Sequence, residues 1–267
     1  MRDSIHLGTI RGIPIGMHWS VLLIAGLILW GLATEGLPTL HEGHSSLEYW
    51  IAATLVTVAF FACLLLHELG HALVAVRLGT GVSGITLWLF GGVSKLSSDN
   101  PSAGAELKIG IAGPLVSLGL GVAFLAAAAG LEVLAPSALA VTALAWLGVI
   151  NLVLGVFNLL PAYPLDGGRV LRAALWAASH DRLRATEQAA AIGAVVAYAM
   201  VAAGLAMVLV GLWINGIWFA LIGWFVRSAG RNEAAMVRRA EEERRGPIGP
   251  TPLRGPELRD ALGGAGS

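Results

Sequence analysis

The chain has 267 residues, of which 56% are hydrophobic and only 13% are charged, and its mean hydropathy is +0.75. Because soluble globular domains carry about a quarter charged residues, this composition excludes a soluble protein and predicts an integral membrane protein. The formal net charge is zero, and the single cysteine, Cys63, excludes an intramolecular disulfide.

Hydrophobic segments predict an all-α polytopic membrane protein with about six transmembrane helices. The segments cover residues 18–34, 50–76, 107–130, 138–160, 189–211 and 213–226. The last is shorter than the about 20 residues that a bilayer requires, so we expect it to form a tight hairpin with the fifth. With six passes, all 17 Lys and Arg residues lie on one side of the membrane. The positive-inside rule then predicts a multi-pass protein of the cell membrane with both termini in the cytoplasm.

The second hydrophobic segment contains the motif His67-Glu68-Leu69-Gly70-His71. A helix places residues four apart on one face, so both imidazoles can reach one Zn²⁺, and Glu68 is then placed to act as a general base. The competing interpretation is a helix whose two histidines hydrogen-bond a neighbouring helix. It is disfavoured because ionisable groups at membrane depth are costly and usually have a function.

Residues 81–96, between the second and third segments, are rich in β-branched and aromatic residues and have glycine near both ends. This pattern predicts one or two short strands, forming a β-hairpin or small sheet near the active site. An edge there, including Gly91 and Gly92, could hold an extended peptide by strand addition, although a plain surface hairpin fits equally well. In the third segment, Ala112-Gly113-Pro114 predicts close helix packing.

A catalytic zinc needs a third protein ligand, and the best candidate is Asp166. Pro161 and Pro164 are expected to stop the fourth helix, and Gly167 and Gly168 to let the backbone turn tightly after the carboxylate. Considered alone, Asp166 could equally well be a zinc ligand or a carboxylate that stabilises a turn or caps a helix.

Asn151 and Asn158 are seven residues apart in an otherwise apolar segment, so they share one helix face. Buried amides in lipid need partners, and interhelical hydrogen bonding is their ordinary role. Asn158 is closer to the Asp166 turn and could bind the substrate backbone or stabilise an oxyanion. Asn151 is deeper, and we expect it to be structural.

The composition divides the chain into an apolar region and a charged region. Residues 1–226 are predicted to form the six-helix transmembrane core, and residues 227–267 a charged, partly disordered cytoplasmic tail. The first part of the tail could continue as a charged helix, whereas the remainder is rich in Gly and Pro.

Together these motifs resemble the site-2 protease family of intramembrane zinc metalloproteases. The matching features, in the family's order, are the 67–71 motif, Phe90-Gly91-Gly92-Val93, Ala112-Gly113-Pro114 and residues 158–169. Residues 12–20 resemble a prokaryotic subgroup that often carries CBS domains after the membrane core, and the tail of this chain does not match such a pair.

The resemblance implies that His67, His71 and Asp166 bind zinc, that Glu68 is the general base and acid, and that Asn158 contacts the scissile peptide. It also implies regulated intramembrane proteolysis, the cleavage of a bond in or near a transmembrane segment of a membrane-anchored substrate such as an anti-sigma factor or tethered regulator. The alternative is a non-enzymatic zinc-containing membrane scaffold or transporter, but the fifth and sixth segments offer few ionisable residues for a polar path. No nucleic-acid partner is expected.

Overall fold

The computed structural model describes residues 5–88, 91–96, 102–136 and 138–245, most of which are helical. A π-helical turn over Leu32–Gly36 joins α1 to α2. The helices are α1 (Ser20–Gly31), α2 (Leu37–Leu40), α3 (Ser46–Arg77), α4 (Ala103–Leu134), α5 (Leu139–Asn158), α6 (Asp166–Ser179), α7 (Arg182–Leu209) and α8 (Trp213–Arg245). The strands are β1 (Ile5–Ile10), β2 (Ile13–Met17), β3 (Val82–Trp88) and β4 (Gly91–Leu96).

Within these described ranges, five helical segments are long and apolar enough to cross a membrane. They are Ser20–Leu40, α3, α4, α5 and α7. The sixth predicted pass, residues 213–226, is the apolar first part of α8, which continues without a break to Arg245. The predicted class, an all-α polytopic fold of about six membrane helices with a small sheet, is confirmed. The boundary expected after residue 226 falls inside α8, and residues 246–267 lie outside the described part.

The small sheet has the strand order β1-β2-β3-β4, in which β2 and β3 run parallel and the other two pairs antiparallel. Ile13 and Ile85 are buried against Ala72 of α3, one residue after the second motif histidine. The strands predicted within residues 81–96 are β3 and β4, while residues 89–90 lie outside the described part. The hairpin of β1 and β2 was not predicted, because its glycines and proline are depleted in typical strands.

Helices α2, α3 and α5 share an apolar core at the opposite end of α3 from the motif. Leu37, Tyr49, Val56 and Leu147 are buried together there. The helix α3 begins with a capping box, in which the Ser45 hydroxyl accepts from the Glu48 amide and the Glu48 carboxylate accepts from the Ser45 amide. The capping box therefore holds the start of α3, and the contact of Ala72 with the sheet holds the part near its end.

Candidate metal centre

Three side chains with metal-binding atoms converge where α3 meets α6. His67 and His71 lie one turn apart on α3, and their Nε2 atoms are 3.2 Å apart. The Oδ2 atom of Asp166, the first residue of α6, lies 3.2 Å from Nε2 of His67 and 3.1 Å from Nε2 of His71. Both imidazoles are buried, and the carboxylate is partly buried. The structure therefore brings together all three predicted metal ligands.

The spacing and chemistry of these donors fit zinc. Zinc bonds of about 2.0–2.1 Å in a tetrahedral arrangement place neighbouring ligand atoms about 3.3 Å apart, close to the observed 3.1–3.2 Å. Two imidazoles and one carboxylate are also a ligand set of catalytic zinc sites that keep a fourth position open. The geometry of the three donors therefore fits a zinc ion.

Gly113 of α4 leaves open the space in front of both imidazoles. A Cβ atom at this position would lie 2.6 Å from Nε2 of His67 and even closer to Nε2 of His71. A methyl group there would occupy the space that a shared metal ion needs. We expected Gly113 to serve helix packing, and the structure shows that its lack of a side chain also leaves room beside both imidazoles.

The other ring nitrogen of each histidine is held by α4. Nδ1 of His67 forms a hydrogen bond of 2.9 Å with the Ser117 hydroxyl, and Nδ1 of His71 donates one of 2.6 Å to the carbonyl oxygen of Ile109. Because Nδ1 of His71 donates, a neutral ring presents its Nε2 lone pair to the centre, as metal ligation requires. Residues 109, 113 and 117 follow a spacing of four, the only sequence signal of these contacts.

Glycine also lets α3 and α4 approach closely at the motif. A Cβ atom on Gly70 would lie 3.0 Å from Cγ2 of Val116 and 3.2 Å from the carbonyl oxygen of Ala112. A side chain at residue 70 would require Val116 and the α4 backbone to shift. The small residue inside the motif therefore keeps both imidazoles within reach of their partners on α4.

Asp166 does not act as a helix cap. The N-cap position of α6 is Leu165, and no side chain there accepts a capping hydrogen bond. The prediction that Gly167 and Gly168 form a tight turn was wrong, since both lie in the first turn of α6. They are needed for a different reason: a Cβ on either would collide with the backbone of residues 159–162. This close packing presents the carboxylate of Asp166 to α3.

The electrostatic environment of Asp166 favours a carboxylate. Burial opposes its charged form, but hydrogen bonds and charge interactions with His67 and His71 outweigh burial and hold the pKa of Asp166 well below its usual range. A permanent negative charge facing two ring nitrogens is suited to a divalent cation.

The remaining predicted site residues lie on α3, α5 and β4. Glu68 is on α3 between the two histidines and is 8% exposed. Asn158 is the last residue of α5, and its side-chain nitrogen donates a hydrogen bond of 3.0 Å to the carbonyl oxygen of Leu154 in the same helix. Gly91 and Gly92 begin β4, an edge strand that packs against α3.

A buried charge network braces the ligand-bearing helix α6. Nε of Arg172 donates a hydrogen bond of 2.6 Å to Oε1 of Glu106 on α4, and Nη1 lies 2.8 Å from Oε1 of Glu233 on α8. Glu106 is fully buried and Arg172 nearly so. The guanidinium also lies 5.6 Å from the ring centroid of Tyr163. No sequence pattern predicts this network, because the paired charges are more than sixty residues apart.

Comparison with known proteins shows related sequences and a related structure. The model of peptidase family M50 matches residues 55–135 and 132–203. The chain is 44% identical over 237 residues to Rip3 of Mycobacterium tuberculosis, named as a candidate zinc metalloprotease, covering 89% of this chain and 60% of that protein. It is 35% identical to a zinc metalloprotease of Methanocaldococcus jannaschii, covering 89% of this chain and 62% of the relative. The chain thus spans about three fifths of the length of these curated relatives.

The fold also matches a solved structure. A site-2 protease from Methanocaldococcus jannaschii is 33% identical to this chain and superposes with a TM-score of 0.55. The match covers 86% of this chain and 94% of the other. It therefore extends over most of the helices and strands described above.

Proposed function

Because the chain belongs to peptidase family M50, the site-2 protease family, we propose that it is an intramembrane zinc metalloendopeptidase. It hydrolyses peptide bonds in or near transmembrane segments of membrane-anchored proteins. The observation that carries this proposal is the convergence of His67, His71 and Asp166 on the space left open by Gly113, with Glu68 on the adjoining turn.

His67, His71 and Asp166 would hold the zinc ion. When bound, zinc would supply Lewis acidity and would lower the pKa of water at the centre far enough to give a nucleophile at neutral pH. Hydrogen bonds of the two Nδ1 atoms with the Ser117 hydroxyl and the Ile109 carbonyl oxygen orient the imidazoles, so that both Nε2 atoms face the centre. Two of the three ligands come from one helix, and the third depends on how α6 is packed.

Glu68 is the proposed general base and acid. It takes a proton from the attacking water as the water adds to the carbonyl carbon of the scissile bond, and it then delivers a proton to the leaving amine. A carboxylate between the two ligands in the motif is suited to both steps. The side-chain amide of Asn158 is proposed to contact the scissile peptide and to stabilise the developing oxyanion, after exchanging its intrahelical hydrogen bond for one to substrate.

The edge strand β4 is the proposed docking site for substrate. A transmembrane helix must unwind before cleavage, because its amides are hydrogen-bonded and its carbonyl groups are shielded. Among the described residues β4 pairs only with β3, and the two strands pack against α3, which carries the motif. A substrate segment added beside Gly91 and Gly92 would regain backbone hydrogen bonds lost on unwinding.

The substrate class and orientation are also proposals. The chain is a membrane protein with helices apolar enough for a bilayer, and the one-sided distribution of basic residues supports cytoplasmic termini. Both features suit regulated intramembrane proteolysis, the release of a membrane-tethered regulator or the degradation of an anti-sigma factor. Water would then reach the metal centre from the cytoplasm, since His71 lies about two turns before the end of α3.

A non-enzymatic zinc-containing scaffold or transporter is the alternative. A scaffold needs the three ligands but has no use for Glu68. The matched variant Glu68→Gln, which keeps size and hydrogen bonding, therefore separates the two functions.

The test compares membranes that contain the wild-type chain with membranes that contain Glu68→Gln, and maps the fragments of membrane proteins by mass spectrometry. We expect a set of fragments cut within or beside transmembrane segments in the wild type alone. Identical fragment sets, with both proteins present at equal amounts and loaded with zinc, would contradict proteolysis. The cut fragments would also identify the substrate.

A further inference from the structure

Helices α7 and α8 enclose a groove of about 480 Å³ beside the charged half of α8. The two helices are antiparallel, and near their connecting turn they touch backbone to backbone: a Cβ on Gly204 would lie 2.6 Å from the backbone nitrogen of Ala220. Further along, alanines of both helices form the floor and leave open space. The basic residues lining this groove are Arg227, Arg231, Arg238 and Arg239.

Positive charge in this basic groove is only partly balanced. Arg238 forms an ion pair with Glu187 of α7, and Glu242 is the one acidic residue of the lining. In the part of the chain that the structure describes, neither Arg231 nor Arg239 has a carboxylate partner. Two exposed guanidinium groups therefore remain available to an anion.

From the length of the apolar part of α8, we expect the groove to begin near a bilayer interface. The apolar residues 213–226 that precede it span about 21 Å at about 1.5 Å per residue, less than the about 30 Å of a hydrocarbon core. Arg227 donates a hydrogen bond of 3.2 Å to the hydroxyl of Tyr198, which lies within the apolar part of α7. Arginine at this depth is unfavourable without a polar or anionic partner.

Exposed apolar side chains lie beside the groove on both α7 and α8. Trp224 is one turn from Arg227 and is 65% exposed, and Val195 is one turn from the groove residue Ala191 and is 69% exposed. A free phosphate ion would contact only the arginines. A phospholipid would place its phosphate among the arginines and its acyl chains along this apolar surface, so it matches both parts.

We propose that the basic groove binds the headgroups of anionic phospholipids, with Arg231 and Arg239, about 12 Å apart along α8, as the main contacts. Basic pockets between membrane helices have the chemistry that anionic lipid headgroups require. The bound lipid contacts the arginines of α8 and lies along the apolar surface beside the groove. This binding is independent of the proteolytic activity proposed above.

The test is native mass spectrometry of the full chain in detergent with added phosphatidylglycerol, phosphatidylcholine or inorganic phosphate. The variant is Arg231→Gln/Arg239→Gln, and its control is Arg77→Gln/Arg184→Gln, which removes the same charge outside the groove. All four arginines are exposed, so the variants should fold, and their gel-filtration profiles check this. The wild type and the control should retain phosphatidylglycerol at collision energies that strip phosphatidylcholine, and the groove variant should retain at least fivefold less.

Three outcomes would overturn the proposal. The first is equal retention of the two phospholipids by the wild type. The second is undiminished retention of phosphatidylglycerol by the folded groove variant, or an equal loss in the control. The third is displacement of phosphatidylglycerol by millimolar inorganic phosphate, which would assign the groove to free phosphate.

Discussion

Replacing Gly113 by alanine should weaken metal binding more than any other single methyl addition in α4. The new Cβ would lie 2.6 Å from Nε2 of His67 and closer still to Nε2 of His71, whereas ordinary contacts are about 3.4–4 Å. The rings must therefore move by roughly 1 Å, and such overpacking costs about 1–3 kcal/mol. This energy corresponds to a loss of about 5-fold to 150-fold in zinc affinity. The methyl group also takes space that the metal needs, so a loss of about 5-fold in zinc affinity is the smallest that we expect.

The matched control is Gly119→Ala, six residues further along the same helix. A Cβ at residue 119 meets no heavy atom within 4 Å, so zinc affinity should equal that of the wild type. The assay is competition for zinc with a chromogenic chelator, using purified protein in detergent whose helix content is checked by circular dichroism. A correctly folded Gly113→Ala protein that binds zinc as tightly as Gly119→Ala would refute the assignment of this space to the metal.

Three further substitutions test the surroundings of the centre. Ser117→Ala removes the hydrogen bond that orients His67, so zinc affinity should fall about 10–100-fold in the same competition assay; an unchanged affinity would show that Ser117 does not orient the ring. Arg172→Met leaves the buried Glu106 carboxylate without its partner and should cost about 3–5 kcal/mol of stability in denaturant unfolding. Replacing Glu106 by Gln as well should recover part of this loss, and a single variant as stable as the wild type would contradict the bracing role of the network. Asn158→Ala should lower kcat by about 100-fold at unchanged zinc content if its amide acts on the substrate, and a loss of zinc instead would point to a structural role.

The sequence was most informative where the chemistry is local. His67 and His71 are four residues apart on one helix, so their shared face follows from helix geometry alone. The membrane passes follow equally from apolar runs of the required length. Each of these features depends on neighbours within one element, which is why pattern and spacing were sufficient.

Features that depend on tertiary packing were harder to predict. Asp166 lies 95 residues after His71, and from the residues alone it fitted a ligand and a cap equally well. The ion pair of Glu106 with Arg172 joins two helices separated by other elements, so no local spacing predicts it. At Gly113 the sequence suggested small size, but only the neighbouring imidazoles show what that small size accommodates.

The most direct test of the zinc centre is the metal content of three purified proteins, measured by elemental mass spectrometry after dialysis against a weak chelator. We expect about one zinc per chain in the wild type and in Glu68→Gln, because Glu68 is proposed as a base and not as a ligand. Asp166→Ala should lose its zinc, because the third donor at 3.1–3.2 Å from both imidazoles is gone. A folded Asp166→Ala protein that keeps a full equivalent of zinc, or a wild type that binds none, would contradict the assignment of this zinc centre.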